Sequence, residues 1–421
     1  MATNKKRNRK LRNLITVCAL FAIILSVGTY AWFIGMKTVN VSQFEIEIAT
    51  TEGLFLSMDG ADWQYNLNVG TAHQYDGNTN TWATDGLIPM STIGEADSTV
   101  SRMKLYEKAS LTPSSGGYRL LTSRVDNYRT AATGSGALNQ GKGYVAFDLF
   151  IKNLSGEEYY ATNEPLNEEA IYLTTNSKVS VSTAGVENTG IENSIRVAFL
   201  QIGRVIGTTE NAEIITGITC SNDDGKGVTG ICRNAQIWEP NDTSHVTNAI
   251  NWYNTACKVR KSSGTTVSDP ASYNKGEDCT AVADSNAYPT YAVSKVINIA
   301  DQVDVYDGEK YNTYTANTDT YENYLAASDK STFKLIDFPY FTDTMKNKTG
   351  NDRPQFMTLA PNSITKVRVY VYLEGQDVDN YDFASLGKQI SVNFGFTKER
   401  YTETDVDYHG PSTNITPTGS I

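Results

Sequence analysis

Histidines and catalytic motifs are scarce in this 421-residue chain. Its three histidines, His73, His245 and His409, lie far apart in the sequence. An H-E-x-x-H zinc site therefore has no ligand set, and neither G-x-S-x-G nor a P-loop is present. The sequence predicts solvent-exposed loop histidines. It gives no indication of an enzyme, a catalytic residue or a cofactor.

Basic residues are few once the N-terminus is set aside. The chain has 36 Lys and Arg, six of them within residues 1–31, which contain no acid. The remaining 30 basic residues face 47 acidic ones, a net charge of −17. Nucleic acid is excluded as a partner, because binding to phosphates requires clustered cations. The 25 tyrosines and the abundant Thr, Asn and Gly favour strands and turns over helices.

Long hydrophobic runs are also missing, with one exception. Residues 4–13, NKKRNRKLRN, are basic, and residues 14–33, LITVCALFAIILSVGTYAWF, carry no charge. This order is typical of a signal peptide or signal anchor, and an apolar run of this length can form a transmembrane helix. The basic end stays in the cytoplasm. We predict an extracellular or cell-surface protein, secreted if a signal peptidase cuts between Ala31 and Trp32 and membrane-anchored otherwise.

Four cysteines follow this segment, all within sixty residues. An even number of clustered cysteines in an exported chain predicts two disulfides. We favour Cys220–Cys232 and Cys257–Cys279, because each pair closes a local loop, although three connectivities are possible. The spacings of 11, 24 and 21 intervening residues do not suit a zinc site, which needs closer pairs.

Helical periodicity is absent outside the N-terminus, whereas alternation with a period of two is frequent. Such alternation predicts half-buried antiparallel strands. The outward set in VRVYVYLE is Arg368, Tyr370, Tyr372 and Glu374. The predicted inward residues are Phe44, Ile46, Ile48, Leu54, Leu56, Met58, Val145, Phe147, Leu149, Ile151, Ile195, Val197, Phe199, Val367, Val369, Val371, Leu373, Ile390, Val392, Phe394 and Phe396.

These strands predict a mainly β fold, an antiparallel β-sandwich of jelly-roll type with long loop insertions. Residues 1–33 form the signal peptide or anchor helix, and residues 34–397 the sandwich. Its insertions lie at about 60–140 and 205–330, the second bearing the disulfides. Residues 398–421 are polar and predict a disordered tail.

Acidic turns and tryptophans are the remaining candidates for binding. Oxygen-rich turns hold calcium in many extracellular domains. Neither cluster here has the EF-hand spacing, which favours solvated turns and leaves calcium as the alternative. The calcium candidates are Asp301, Asp304, Asp307, Asp377, Asp379 and Asp382. Exposed aromatic rings can stack on glycans, or they can form small local cores. The tryptophans concerned are Trp63, Trp82, Trp238 and Trp252.

The junction Gly28-Thr29-Tyr30-Ala31-Trp32-Phe33 resembles exported proteins of the TasA/camelysin type from Gram-positive bacteria, whose signal peptides end in G-T-[WY]-A-x-F. A dedicated signal peptidase of the SipW kind reads that pattern. The stretch VRVYVYLEGQDVDNYDFASLGKQISVNFGF also looks like the end of poorly characterised surface proteins of gut Firmicutes.

The resemblance to the TasA type implies a jelly-roll subunit of an extracellular biofilm fibre. In that family, the segment freed by signal cleavage can add as a strand to the sheet of the next subunit. Addition of a strand to an exposed sheet edge is a recognised mode of protein binding. The implied assembly strand runs from Phe33 to Ile48, with apolar residues Phe33, Val39, Val41, Phe44, Ile46 and Ile48. We therefore expect a structural matrix protein whose partners are its own copies or other surface proteins. The alternative is a surface adhesin or glycan-binding module, with calcium as a candidate stabilising ion.

Overall fold

The fold is described from a computed structural model. The described residues are 39–48, 53–70, 81–82, 86–114, 117–124, 143–182, 189–223, 225–251, 287–288, 290–293, 335–380 and 389–402. The predicted export segment and its cleavage site lie outside these ranges. Within them, no helix combines the length and the apolar character needed to cross a membrane.

The described chain is mainly β, as predicted. Its strands, in chain order, are β1 Asn40–Ile48, β2 Leu54–Ser57, β3 Asn66–Gly70, β4 Thr81–Trp82, β5 Pro89–Ser91, β6 Ala96–Asp97, β7 Arg102–Met103, β8 Tyr106–Ser114, β9 Gly117–Arg124, β10 Val145–Asn153, β11 Glu169–Leu173, β12 Lys178–Val181, β13 Ile195–Ile206, β14 Thr229–Gly230, β15 Gln236–Glu239, β16 Tyr291–Val293, β17 Leu335–Asp337, β18 Phe341–Thr342, β19 Met357–Leu359, β20 Ser363–Glu374 and β21 Gln389–Thr397. The short helical segments are Pro165–Asn167, Ile191–Ser194, Ala212–Thr216, 247–251, Asp343–Lys346 and Gly350–Asp352.

Two large sheets organise these strands. The first sheet has the order β19-β11-β21-β1-β3, and β12 also pairs with β21. The second sheet has the order β18-β15-β13-β20-β5-β8-β9; β10 pairs with β20, β2 and β4, and β14 with β13. Pairing is mostly antiparallel, but β1 runs parallel to β21, β5 to β20 and β18 to β15. The sheets are therefore mixed rather than wholly antiparallel.

One hydrophobic core joins the two sheets. All the residues predicted to face inward belong to it. Rings from opposite sheets meet edge to face, with 5.5 Å between the centroids of Phe44 and Phe147 and 5.0 Å between those of Phe199 and Phe394. The two-residue alternation predicted these faces correctly, because successive side chains of a strand point to opposite sides of the sheet.

The residues of β20 that were predicted to face outward lie on the outer face of the sheet, but they do not contact solvent. Tyr370, Tyr372, Arg368 and Glu374 are all buried, because the outer face of the second sheet carries a second hydrophobic cluster. Segments from the two long polar stretches cover that face and contribute residues such as Met103 and Ile215 to the cluster. The polar row of β20 therefore contacts protein rather than water.

The described residues at the C-terminal end reach 402, beyond the predicted sandwich boundary at 397. Arg353 Nη1 donates to the carbonyl oxygens of Glu399 and Arg400, each at 3.2 Å. Lys398 Nζ lies 3.1 Å from Glu169 Oε2 and donates to the carbonyl of Leu154. These contacts fix residues 398–402 against the fold, and the remainder of the predicted tail lies outside the described residues.

Candidate functional site

Buried charge collects at both ends of the outward row of β20. At one end Lys366 and Arg368 surround Asp148 of β10; we call these three residues the cationic cluster. At the other end Glu374 lies in what we call the acidic pocket, whose charged and titratable residues are Arg196, Glu239, Asp242, His245, Tyr288, Glu374 and Asp377. Tyr370 and Tyr372 separate the two groups along the strand.

Arg196 is the central cation of the acidic pocket. It lies on β13 opposite Tyr372, and its side chain is 1% exposed. Its Nη2 donates to Glu239 Oε1 and to Asp377 Oδ2, each at 2.6 Å. Its Nη1 donates to the backbone carbonyls at positions 193 and 195. The guanidinium thus joins the end of β15 to the turn that follows β20.

Glu374 differs from Glu239 and Asp377, because it forms no ion pair with any cation in the described part of the chain. Its Oε2 accepts from the hydroxyl of Tyr340, and its Oε1 accepts from the backbone N–H of Gln376, both at 3.0 Å. Complete burial raises the pKa of Glu374 to about 8, although nearby Arg196 opposes the shift. Neutral donors stabilise a buried carboxylate less than a cation does, so this carboxyl is mostly protonated at pH 7.

Glu239 is the second carboxyl that titrates near neutrality. Burial raises its pKa to about 7, and the negative charges of Asp377 and Asp242 add to the shift against the effect of Arg196. Its side chain is 7% exposed. The pocket therefore contains two carboxyls whose protonation changes between about pH 6 and pH 9.

The side chain of His245 is only 6% exposed, which corrects the prediction of an exposed loop histidine. Its Nδ1 lies 2.7 Å from Asp379 Oδ2, and the backbone N–H of Val246 donates to Asp379 Oδ1. The ring meets Tyr288 edge to face, with 4.3 Å between centroids. Burial raises the pKa of Asp379. The pair fastens residues 241–251 to the turn after β20.

The space inside the acidic pocket is small. Its cavity measures about 20 Å³, and a single water needs roughly 10–15 Å³. Drug-sized ligands occupy sites of roughly 300 Å³ or more. The cavity between the described residues is therefore far smaller than a drug-sized ligand needs, and it has room for about one water.

The cationic cluster has the opposite balance, one carboxylate against two cations. Asp148 Oδ1 accepts from Arg368 Nε at 2.7 Å, and its Oδ2 lies 3.2 Å from Lys366 Nζ. Burial alone would raise the pKa of Asp148, but Arg368 and Lys366 outweigh it and hold that pKa below its usual value. The two cations also bind the covering segments, through the carbonyls of Ser101 and Thr216.

A polar groove lies on the outer face of the first sheet. It measures about 170 Å³ and is lined by Glu45, Glu47, Lys178 and Asn393, among others. Its floor is Gly395, where a Cβ would lie 2.8 Å from the Thr174 hydroxyl and 3.0 Å from the Glu47 carbonyl. The missing side chain keeps this groove open in the middle of the sheet.

The predicted site residues have mixed outcomes. Cys220 and Cys232 form a disulfide with 2.06 Å between the sulfurs, the pairing that the sequence favoured. Cys257 and Cys279 lie outside the described residues. The apolar residues of the implied assembly strand are buried in β1 and at Val39, while Phe33 lies outside the described ranges.

The calcium candidates are divided in the same way. Asp377 pairs with Arg196 and Asp379 with His245. The other four, Asp301, Asp304, Asp307 and Asp382, lie outside the described residues. Within the part of the chain that the structure describes, no group of three or more His, Cys, Asp or Glu is arranged to hold a metal ion. Asp377 is therefore the ion-pair partner of an arginine, and Asp379 is the hydrogen-bond partner of a histidine.

The tryptophans favour small local cores over an exposed platform. Trp238 is fully buried, and its Nε1 donates to Asp343 Oδ1 at 2.8 Å. Trp63 is partly buried beneath Lys152, whose Nζ lies 4.7 Å from the ring centroid. The side chains of Trp82 and Trp252 are outside the described set.

Sequence reasoning missed Arg196, Glu239 and Tyr340, and it placed Glu374 in solvent. The only sequence feature that could have indicated this buried site is the composition of β20, where Arg, Tyr and Glu alternate with valines. Comparison of the chain with known protein families, curated proteins and solved structures finds no match.

Proposed function

We propose that this protein is an exported structural protein of the cell surface or extracellular matrix, a fibre subunit that assembles by donating β1 to a neighbouring copy. One observation carries the proposal. β1 opens the described chain, yet it lies inside the first sheet, hydrogen-bonded to β21 on one edge and to β3 on the other. In this proposal the two packed sheets form a sandwich of jelly-roll type.

The position of β1 makes it indispensable to the fold. Val39, Val41, Phe44, Ile46 and Ile48 are at most 8% exposed. Burying one large aliphatic or aromatic side chain contributes about 1.5–3 kcal/mol, so five contribute on the order of 10 kcal/mol. That equals the whole stability of a typical domain, about 5–15 kcal/mol. The slot between β21 and β3 therefore has to be filled, by this strand or by an equivalent one.

A neighbouring copy offers the equivalent strand. An exchanged β1 makes the same contacts in the neighbouring copy as it makes in its own chain. The exchange therefore changes the free energy mainly through the residues that connect β1 to the rest of its chain. That connection is short: residues 49–53 lead from β1 in the first sheet to β2 in the second. A chain that donates its own strand and accepts another at a different place forms an open, head-to-tail polymer.

The proposal includes export. The basic and apolar order of residues 4–33 supports a signal segment, and a signal peptidase acting between Ala31 and Trp32 would release β1 from the membrane. N-terminal sequencing of protein from cells and from medium tests this step. A start at Trp32 or Phe33 in the medium is expected, whereas an uncut N-terminus throughout would contradict release.

Disulfide trapping tests strand donation. Glu45 and Asn393 are paired in register between β1 and β21, and both face the outer groove. We expect the double variant Glu45→Cys with Asn393→Cys, oxidised after assembly, to give a covalent ladder on a non-reducing gel. Cys18, Cys257 and Cys279 are replaced by serine in this background so that they do not cross-link.

The chain also offers a matched control. Lys178 of β12 pairs with the same Asn393, and both strands always belong to one subunit. Lys178→Cys with Asn393→Cys should therefore give only an internal disulfide and a monomer band. If the Glu45 variant also gives only monomers, or if chains lacking residues 32–48 polymerise normally, strand donation is wrong.

The outer groove favours a second candidate, a surface adhesin or glycan-binding module. Carboxylates, amides and an ammonium line its walls, so it offers both donors and acceptors to sugar hydroxyls. A glycan array run with calcium should then show binding that Gly395→Val abolishes, because the new side chain fills the floor of the groove. An array without any binder would contradict this candidate.

A further inference from the structure

The acidic pocket lies where the second sheet meets the segments that cover it. Arg196, Glu239 and Glu374 come from strands of the sheet, and Asp377 and Asp379 come from the turn after β20. The covering side consists of residues 241–251, 287–288, 290–293 and 338–340. We call these four ranges the pocket cover.

Contacts through the pocket attach the cover to the sheet. Tyr340 donates to Glu374, and His245 binds Asp379. Within the cover, Thr290 Oγ1 donates to the carbonyl of Phe338 at 2.7 Å, and the backbone N–H of Phe338 donates to the carbonyl of Thr290 at 3.1 Å. The cover is therefore linked to the sheet by titratable side chains as well as by apolar contacts.

Among the residues that the structure describes, the charges in this interface do not balance. The carboxyls are Glu239, Asp242, Glu374, Asp377 and Asp379, and the groups that oppose them are Arg196 and, when protonated, His245. Arg196 already bonds Glu239 and Asp377. The other described side chains around Glu374 are Ser91, which hydrogen-bonds the carboxyl, and the neutral tyrosines at 340 and 372. An unpaired negative charge in such a dry site is unfavourable, and the cavity leaves room for about one water.

We propose that the acidic pocket is a pH-sensitive contact, which holds the pocket cover against the second sheet while Glu374 and Glu239 are protonated and releases it when they ionise. Ionisation places two more negative charges beside Asp377, Asp379 and Asp242. Opening the cover admits water to all five carboxylates, which relieves the repulsion.

The direction of the pH dependence follows from linkage. Both carboxyls have a higher pKa in the closed state, about 8 and about 7, than the roughly 4.3 of a solvated Glu. Between pH 4 and 8 the open state therefore binds fewer protons than the closed state. Stability of the closed state falls as pH rises, by up to about tenfold in the closed-to-open ratio per pH unit and carboxyl.

Hydrogen exchange on the full-length chain measures this opening. Protection factors, corrected for the intrinsic effect of pH, are compared at pH 5.5, 7.0 and 8.5 for peptides spanning 241–251 and 287–293. A β10 peptide, 145–153, serves as the internal reference. We expect the protection of the cover to fall at least tenfold from pH 5.5 to 8.5 while that of β10 changes much less.

Charge-removing variants assign the effect to the pocket. Glu374→Gln keeps the size and the hydrogen-bonding capacity of the side chain but does not ionise, so the cover should stay protected at pH 8.5. Glu239→Gln should also raise the protection of the cover at pH 8.5. If Glu374→Gln does not fold, the test uses Glu239→Gln alone. Glu47→Gln removes an exposed carboxyl on the first sheet and should match the wild type. Protection that is constant with pH in the wild type, or that falls equally in the Gln variants, would overturn the proposal.

Discussion

The cationic cluster and the acidic pocket lie on the same face of the same sheet, yet their carboxyls respond in opposite ways. The pKa of Asp148 is lowered, whereas the pKa values of Glu374 and Glu239 are raised. All three are buried, so loss of water pushes each toward the neutral form. The difference among the described residues lies in the cations: Asp148 has two, whereas five carboxyls share Arg196 and, only when it is protonated, His245. Local charge balance, rather than depth, decides whether a buried acid ionises.

The two ends also differ in how their covers are held. At the cationic end, Lys366 Nζ donates to the carbonyl of Thr216, and the Cys220–Cys232 disulfide follows four residues later. At the acidic end, the described contacts of the cover are hydrogen bonds and packing, such as the pair of His245 with Asp379. We therefore expect the cationic end to be the more persistent one, and the following changes test that comparison.

The largest effect is expected for Asp148→Asn. The substitution leaves Lys366 and Arg368 buried without their carboxylate, and breaking a buried ion pair from one side costs about 3–5 kcal/mol. Urea unfolding at pH 7 should show this loss. The wild type should also lose stability as pH falls through the lowered pKa of Asp148, and the variant should lack that part of the acid dependence.

A triple variant separates charge from packing at this cluster. Asp148→Leu with Lys366→Met and Arg368→Met removes all three charges, and full replacement of a buried ionic cluster is often nearly neutral. Recovery of most of the lost stability is expected. A triple variant as unstable as Asp148→Asn would mean that the bonds from Lys366 and Arg368 to the cover matter more than charge.

Removal of the disulfide is expected to cost about 2–4 kcal/mol, the usual range for a short loop. The change is Cys220→Ser with Cys232→Ser, measured by thermal unfolding under oxidising conditions. Hydrogen exchange should rise mainly in residues 212–233, at the cationic end. Equal loosening of residues 241–251 would show that the two covers open as one unit and would remove the distinction between the ends.

Gly190→Ala should destabilise the acidic end by about 2–3 kcal/mol. The residue has φ +82°, and a Cβ there would lie 2.9 Å from Asp379 Oδ1 and 2.9 Å from a methyl group of Val246. The left-handed conformation alone costs an alanine about 1–2 kcal/mol, and crowding of the Asp379 carboxylate adds to it. Gly227, with φ +70° and open space around its Cβ position, supplies the control. Equal losses in Gly190→Ala and Gly227→Ala would mean that crowding at Asp379 contributes nothing.

The inward faces of both sheets were predictable from local pattern, and their outer faces were not. Alternating β-branched residues indicate a buried face in β20, at Val367, Val369 and Val371. The outward residues of the same strand alternate just as regularly, but pattern does not distinguish water from a covering segment. Glu45 and Glu47 on β1 do line an open surface. The long amphipathic side chains of Arg368 and Tyr370, which suit burial with a satisfied polar end, were the one hint of a cover.

The acidic pocket was predictable only in part. Asp377 and Asp379 stood out as clustered carboxyls, but the sequence favoured a solvated turn, with calcium as the alternative. Their partners Arg196 and His245 lie 181 and 134 residues away in the chain, so no local spacing indicates the pairing. Charge balance in a buried site depends on which distant elements meet, and the fold of the covering segments decides that.

The smallest effect is expected for Glu374→Gln, and it provides the sharpest contrast with Asp148→Asn. Both changes convert a buried carboxyl to an amide. At pH 6 Glu374 is already neutral, because its pKa is about 8, so its loss should change the free energy of unfolding by less than about 1 kcal/mol, the worth of an ordinary hydrogen bond. As pH rises from 6 to 9, the wild type should lose stability relative to the variant, since only the wild type gains a buried charge. Urea unfolding at both pH values measures the difference. A loss of several kcal/mol at pH 6, as at Asp148, would show that Glu374 is ionised in the folded protein and that the two ends of β20 are alike.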